Sequence, residues 1–368
     1  MAITGVGAVT AFGTGVDALW RGISTGGRAL KAHARLLDSN DYGPLALCDL
    51  PLGESRRATR LALAAAQQIS LTREHRRLAI VVATTLGEMD GFLAAQKDQP
   101  EEQWGYGAIA AELGREFRAE GPVQTVSVAC ASGNAAIALG REWLVDQLAD
   151  VVMVVGVDVL NDFVCSGFLA LRAIDRDLCR PFDRDRGGLN LGEAAGGIVL
   201  ERASDSGASS RALAFVCGSG SALDGVHMTG PDPSGRGLAR AIAAALSDAE
   251  MSPDDITAVS AHGTATRFND AMEARALQQV FGERTKVLPT HSIKGAVGHT
   301  LGAAGVLDAI VCVRALHAGI WPPTSGIGEP DPALELDVTT APRVLRGKVV
   351  LSTAAGFGGI NSALVIAQ

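Results

Sequence analysis

Cys130 lies in the stretch VSVACASGNAAIALG, where a β-favouring run gives way to small, helix-compatible residues. A strand that turns sharply into a helix needs small neighbours, and Ala129, Ala131, Ser132 and Gly133 supply them. A thiol at such a turn meets the positive end of the helix dipole, which favours the nucleophilic thiolate. The same residue reads equally as a buried cysteine packed beneath a Gly- and Ala-rich helix. Two histidines share small-residue settings. His262, in Ala261-His262-Gly263-Thr264-Ala265-Thr266, follows the apolar run 256–260, at the carboxyl end of a strand where α/β proteins bind ligands. His299, in Lys294-Gly295-Ala296-Val297-Gly298-His299, stands just ahead of a helix expected to open at Leu301. Either histidine alone reads as a core or capping residue; beside Cys130 that reading weakens.

Rigid elements must bring these three residues together. Unbroken apolar runs at 78–84, 124–129, 151–157, 197–201, 213–217, 256–260 and 349–352 predict strands buried on both faces. Helices are expected at 55–70, 132–148, 270–281 and 301–317. In the first, Ala58, Leu61, Ala62, Ala65 and Ile69 form one apolar stripe, with Arg56, Arg57 and Arg60 off it. Alternation of strand and helix along the chain sets the class as α/β. The polar stretch 203–211 is the expected seam between an N-terminal half, 1–205, carrying Cys130, and a C-terminal half, 206–368, carrying His262, Lys294 and His299.

The 368 residues carry 32 basic and 40 acidic side chains, and the net charge of −8 argues against general nucleic-acid binding, which needs a basic footprint. With 47% hydrophobic residues the chain is expected to fold around a large core. No Lys or Arg precedes Arg21, unlike a secretory leader. No apolar run approaches the roughly 18–20 residues that cross a bilayer, and Asp308 interrupts the run 301–313. The expectation is a cytoplasmic protein with no membrane contact. The six cysteines form no CxxC pair, which predicts reduced, mostly buried thiols and no metal site. Gly5-Val6-Gly7-Ala8-Val9-Thr10 falls one residue short of a dinucleotide fingerprint, and no acidic residue follows about twenty positions on.

The ordered segments ACASG, AHGTATRFNDAMEARAL, IKGAVGHTLGAAG and GFGGINSALV resemble motifs of the β-ketoacyl-acyl carrier protein synthases of the elongating, Cys-His-His kind. CRPFDRDRGGLNLGEAAGGIVLE at 179–201, HMTGPDPSGRGLARAI at 227–242 and the opening ITGVGAVTAFG extend the resemblance over residues 3–366. It implies a thiolase-type fold, two similar α/β halves stacked in five layers, and decarboxylative condensation of an acyl thioester with malonyl-acyl carrier protein in fatty-acid or polyketide synthesis. Cys130 would hold the acyl group, while His262 and His299 donate hydrogen bonds to the malonyl thioester oxygen. Lys294 and Glu273 match a charged pair that orders this side of the site. The backbone N–H groups of Cys130 and Phe357 would form the oxyanion hole, and Phe357, flanked by Gly356 and Gly358, would gate the acyl pocket. Arg56, Arg57 and Arg60 stand where the family meets its acidic carrier protein, although a charge run is also how a solvated helix face reads. The resemblance implies no cofactor and a dimer: a homodimer, or a heterodimer with a chain-length-factor homologue.

Departures from the family pattern fall mainly at 27–54 and 96–108, where the chain is shorter, at Ser352-Thr353-Ala354-Ala355, and at His291, where a small hydroxyl residue is usual. They are expected to reshape the pocket. Three rivals stand beside the condensing enzyme. A thiolase needs a second catalytic cysteine, but Cys312 lies in a helical run. An initiating synthase has asparagine where His299 stands, and a non-catalytic chain-length factor lacks the nucleophile that Cys130 would be.

Overall fold

A run such as VVMVVGVD cannot offer water a polar face, and Val151–Asp158 accordingly forms a strand with every residue buried. The computed structural model describes residues 1–32, 42–50, 55–71, 77–89 and 104–368; the expected shortened stretches lie partly outside them. Besides the two-residue strand Gly13–Thr14, which pairs with the first strand, the described residues of the first half give the main path of the sheet strands β1 (Ala2–Thr10), β2 (Leu78–Ala83), β3 (Val123–Val126), β4 (Val151–Asp158) and β5 (Ala194–Glu201). The second half adds β6 (Ala214–Leu223), β7 (Ala258–Ser260), β8 (Thr290–His291), β9 (Val349–Gly356) and β10 (Ile360–Ala367).

These strands run in the order β3-β2-β4-β5-β1-β6-β10-β9-β7-β8. Numbered from its own start, each half has the order 3-2-4-5-1, read inward from its outer edge. Directions repeat too: the second strand is parallel to the third and fourth, and the fifth is antiparallel to the fourth and first. The halves join where β1 meets β6 through Ala2↔Phe215 and Ile3↔Ala214.

Alternate side chains on each strand feed two different layers. Helices α1 (Arg57–Ala66) and α2 (Ala108–Glu116) pack with Ile80, Val82, Met153 and Val155 outside the first five strands. Helices α3 (Ser132–Val145) and α4 (Asp162–Ala170) follow β3 and β4, and α5 (Arg236–Asp248), α6 (Arg267–Phe281) and α7 (Ala304–Ala318) belong to the second half. α3 and α7 share the central layer with Val152, Val154, Val350 and Leu364, while α5 and α6 cover Leu351, Ala363 and Val365 on the far side. The result is five layers, α/β/α/β/α. By composition Leu301–Ala318 is apolar and long enough to cross a membrane, contrary to the sequence expectation, but 83% of it is buried as this central helix.

The two central helices sit at equivalent topological positions and touch through glycine. A Cβ on Gly133 would lie 2.6 Å from the Val306 nitrogen, and one on Gly305 would lie 2.4 Å from Asn134 Oδ1. Strands β1, β8 and β10, and helices α2, α4 and α5, were not predicted from periodicity. β8 has only two residues, and β10 follows a glycine turn that hides its start. Arg57 is a correction: it is 1% exposed, because its guanidinium bonds buried Glu193 at 2.8 Å rather than facing solvent off the apolar stripe.

Gly133→Ala is expected to lower stability by about 1–3 kcal/mol, the usual cost of overpacking, read as a lower midpoint in chemical denaturation. An unchanged midpoint would show that the helices can move apart freely.

Candidate active site

Strand β3 stops at Val126, and the chain must reverse into α3 within five residues. Ala129 takes a left-handed conformation, φ 52°, to do so, at a cost of roughly 1–2 kcal/mol for a residue with a Cβ. The Ser132 hydroxyl holds the turn by donating to the Ala129 carbonyl and accepting from the Val128 N–H. Cys130 is thereby presented at the head of α3. Opposite it, Gly356 at the end of β9 approaches closely enough that a Cβ would lie 3.2 Å from the Cys130 nitrogen. This brings the backbone at Cys130 beside the loop that carries Phe357 and Gly358. Phe357 stacks on Phe168 of α4, with ring centroids 5.7 Å apart, and Gly358 makes its turn at φ 85°.

His299 reaches Cys130 from the segment that leads into the other central helix, α7. Its Nε2 lies 3.0 Å from Cys130 Sγ. Its Nδ1 accepts the Leu301 N–H at 3.3 Å, which assigns the ring proton to Nε2 and makes that nitrogen a donor. Burial, and then the charge of Lys294, hold His299 well below the ordinary histidine range. His262 is lowered likewise, by burial first, then Lys294 and His299. Both rings are therefore neutral at pH 7, and they meet edge to face at 5.3 Å.

The loop of His262 is fixed by two carboxylates that share one face of α6, three residues apart. Glu273 accepts the N–H groups of His262 and Gly263 at 2.7 and 2.8 Å, and the Thr353 hydroxyl at 2.7 Å. Asp270 accepts the Thr264 N–H at 3.0 Å. Burial pushes Glu273 up, while its three donors and the Lys294 charge pull it down; burial pushes Asp270 up to about 6, against the pull of the Phe182 N–H and the Arg186 charge. The expected Lys294–Glu273 pair acts through charge, which lowers Glu273, and not through direct contact. Glu273 spends its oxygens on the His262 loop, and the carboxylate bridged to the Lys294 ammonium is Asp308 of α7, at 4.0 Å.

The sequence expectation that the helix dipole favours the Cys130 thiolate is also corrected. Burial pushes this thiol up to about 12 despite Lys294, and Asp158 adds to the rise. The resting group is a thiol, and the site's polar work lies in neutral donors.

Cys130, His262, His299, Gly356 and Phe357 line one cavity of about 460 Å3. A larger groove of about 830 Å3 between α5 and α6 contains none of them. His291 is not among the cavity's lining residues; it is buried against Trp321, ring centroids 4.7 Å apart, so the expectation that it reshapes the pocket is not met, although Ala355 does line the wall. Arg56 pairs with Glu112 at 2.9 Å and Arg60 is exposed, whereas buried Arg57 cannot meet a partner surface. Sequence reasoning missed Asp270, Asp308, Thr353 and Phe168. Of these only Asp308 carried a signal, a lone acid in an otherwise apolar helix.

A family model for the beta-ketoacyl synthase N-terminal domain matches residues 55–206, and one for the beta-ketoacyl synthase C-terminal domain matches 213–327. The chain is 33% identical to the tetracenomycin polyketide synthase ketoacyl synthase alpha subunit of Streptomyces glaucescens, over all of this chain and 96% of that one. It is 36% identical to 3-oxoacyl-[acyl-carrier-protein] synthase 2 of Mycobacterium leprae (strain TN), over 74% of this chain and 65% of that one. Among solved structures it resembles the ketosynthase ApeO in complex with its chain length factor ApeC from Xenorhabdus doucetiae, with a TM-score of 0.87, 30% identity, and coverage of 100% and 97%.

A thiol held near 12 must react faster as pH rises. Alkylation of Cys130 by iodoacetamide, followed by peptide mass spectrometry, is expected to accelerate about tenfold per pH unit between 7 and 9. A rate already level by pH 8 would show a poised thiolate instead.

Proposed function

The chain belongs to the β-ketoacyl synthase family of acyl-transferring condensing enzymes, and from that premise we propose that Cys130, His262 and His299 carry a two-stage condensation. In the first stage the Cys130 sulfur attacks an acyl thioester, forming an acyl-cysteine and releasing the carrier thiol. The N–H groups of Cys130 and Phe357 bind the oxyanion. In the second, a malonyl thioester loses carbon dioxide, and the electrons left behind form an enolate whose oxygen is stabilised by His262 and His299. The enolate carbon then attacks the acyl carbonyl, a carbon–carbon bond forms, and the carbon–sulfur bond to Cys130 breaks. What carries this reading is the 3.0 Å approach of a proton-bearing His299 Nε2 to Cys130 Sγ inside a buried cavity. A neutral donor suits an enolate, because it stabilises developing charge without protonating the carbon beforehand.

The rivals fit less well. In a chain-length factor the place of Cys130 would hold no nucleophile. A thiolase would need a second cysteine at the site, whereas Cys312 is fully buried on α7 with its thiol pushed up by burial and Asp308.

The proposed substrate carrier is an acyl carrier protein, whose phosphopantetheine arm would enter the 460 Å3 cavity, with Arg56 and Arg60 as docking candidates. The proposal includes no metal or organic cofactor and a cytoplasmic setting. A second ketosynthase-type chain is the proposed structural partner, seated along β3, the outermost strand of its half, whose Val123 is exposed. An unpaired edge of this kind invites a further strand. ApeO's pairing with ApeC supports a chain-length-factor partner, while self-pairing needs no second gene product.

Half-reactions test the roles. Cys130→Ala is expected to lose acyl loading and condensation but keep malonyl decarboxylation. His299→Ala should still load acyl groups, seen by intact mass, while decarboxylation falls roughly a hundredfold or more. His299→Ala failing at loading alone would refute the donor role. Light scattering of the chain expressed alone separates the assemblies: an active species at twice 37.9 kDa supports self-pairing, activity only on co-expression supports the heterodimer, and an active monomer refutes both.

A further inference from the structure

Asp158, the last residue of β4, is completely buried and makes no contact with substrate space. Both its oxygens are nevertheless occupied by donors from two separate turns. Oδ1 accepts the Thr84 hydroxyl at 2.7 Å and the Leu86 N–H at 3.1 Å. Oδ2 accepts the Thr85 N–H at 2.9 Å, the Thr85 hydroxyl at 2.8 Å, and the Gly302 N–H at 2.7 Å. A carboxylate that only accepts can satisfy this set; an amide would turn one acceptor into a donor facing donors.

The bond to Gly302 reaches the chemistry. Leu301 is held in a left-handed conformation, φ 53°, which a leucine adopts only when its surroundings dictate it. Its N–H points at His299 Nδ1. The next N–H, that of Gly302, is anchored on Asp158, and only glycine permits that approach: a Cβ there would lie 2.8 Å from both Asp158 Oδ2 and the Thr84 Cα. Leu86, whose N–H bonds that carboxylate, and Leu301, whose neighbour Gly302 does, both belong with the apolar cluster against which Phe357 packs.

We propose that Asp158 is a positioning residue which, by clamping the Thr84–Thr85 turn to the Leu301–Gly302 turn, keeps the proton of His299 on Nε2 and so sets the donor that faces Cys130. The inference rests on the condensing role given above. Without the clamp, Leu301 relaxes from its left-handed conformation, its N–H leaves Nδ1, and the neutral ring divides between two tautomers. In the second tautomer Nε2 has a lone pair where the enolate oxygen needs a proton. The Asp158 charge also opposes ionisation of Cys130, so its removal should weaken catalysis without making the thiol less reactive, a combination that general loss of structure would not give.

The test is Asp158→Asn in the full chain, with histidine nitrogen NMR reporting the His299 tautomer. Malonyl-acyl carrier protein decarboxylation and iodoacetamide labelling of Cys130 are followed in parallel. Expected are a mixed tautomer, decarboxylation lower by roughly tenfold or more, and labelling as fast as in the parent or faster. A folded variant with His299 still wholly in the Nε2–H form overturns the proposal whatever its activity, and so does a mixed tautomer with decarboxylation within twofold of the parent. Should Asp158→Asn not fold, Gly302→Ala, which pushes the carboxylate off the same N–H, is held to the same outcomes. A parent chain that decarboxylates no malonyl thioester would refute the condensing role, while the tautomer would still decide for or against the clamp.

Discussion

Exclusion of water from the meeting point of Cys130 and His299 governs the rest of the site. In a dry pocket a charge is expensive unless it is matched, so the thiol stays protonated and both imidazoles stay neutral. Catalysis then has to come from aimed dipoles, and dipoles act only if they cannot reorient. That explains why so much of the buried polar inventory is spent on backbone N–H groups. Glu273, Asp270 and Asp158 each hold a loop by its peptide nitrogens.

The pseudo-repeat shows where the aiming comes from. α3 and α7 are equivalent helices, and each is preceded at the third residue by a left-handed non-glycine, Ala129 at 52° and Leu301 at 53°. Gly133 and Gly305 occupy matching places one residue inside the two helices and allow them to touch. The same turn is thus used twice: once to present Cys130, once to orient His299. Strand ends correspond as well. In the second half, β7 leads into His262 and β9 into the Gly356–Phe357 loop. In the first half, β2 leads into Thr84–Leu86 and β4 ends at Asp158. From these strand ends the second half carries His262 and the Phe357 loop, and the first half carries the Thr84–Asp158 frame that the Gly302 N–H joins.

Much of this was legible in the sequence, for physical reasons that also mark its limits. Strands such as Val151–Asp158 declare themselves because two buried faces demand an unbroken apolar run. Cys130, His262 and His299 stand in tight turns whose small neighbours can be read directly. A two-residue strand such as Thr290–His291 has no period to detect. Arg57 was misplaced because helical spacing says which face a residue shares, not whether a carboxylate 136 positions away awaits it there. The resemblance matched Lys294 with Glu273, and a motif match does not fix which carboxylate lies nearest the ammonium in space. The thiolate expectation weighed a helix dipole, which sequence reveals, against a desolvation cost, which only three-dimensional burial sets.

His291 illustrates how the buried centre tolerates a departure. A second cation beside Lys294 would be repelled and could not be hydrated, yet this chain places an ionisable ring within the influence of that ammonium. Burial first, and then the charge of Lys294, push His291 down to about 3, so it enters the core as a neutral aromatic stacked edge-on against Trp321. Lys294 therefore remains the cation that both His262 and His299 feel, with Asp308 opposite it. That carboxyl is itself raised by burial to about 6 and lowered by Lys294. The lysine's charge is what adds to desolvation in keeping His262 and His299 deprotonated. A histidine is admissible at position 291 because the burial and the Lys294 charge that neutralise His262 and His299 neutralise it too, leaving the charge of the site unchanged.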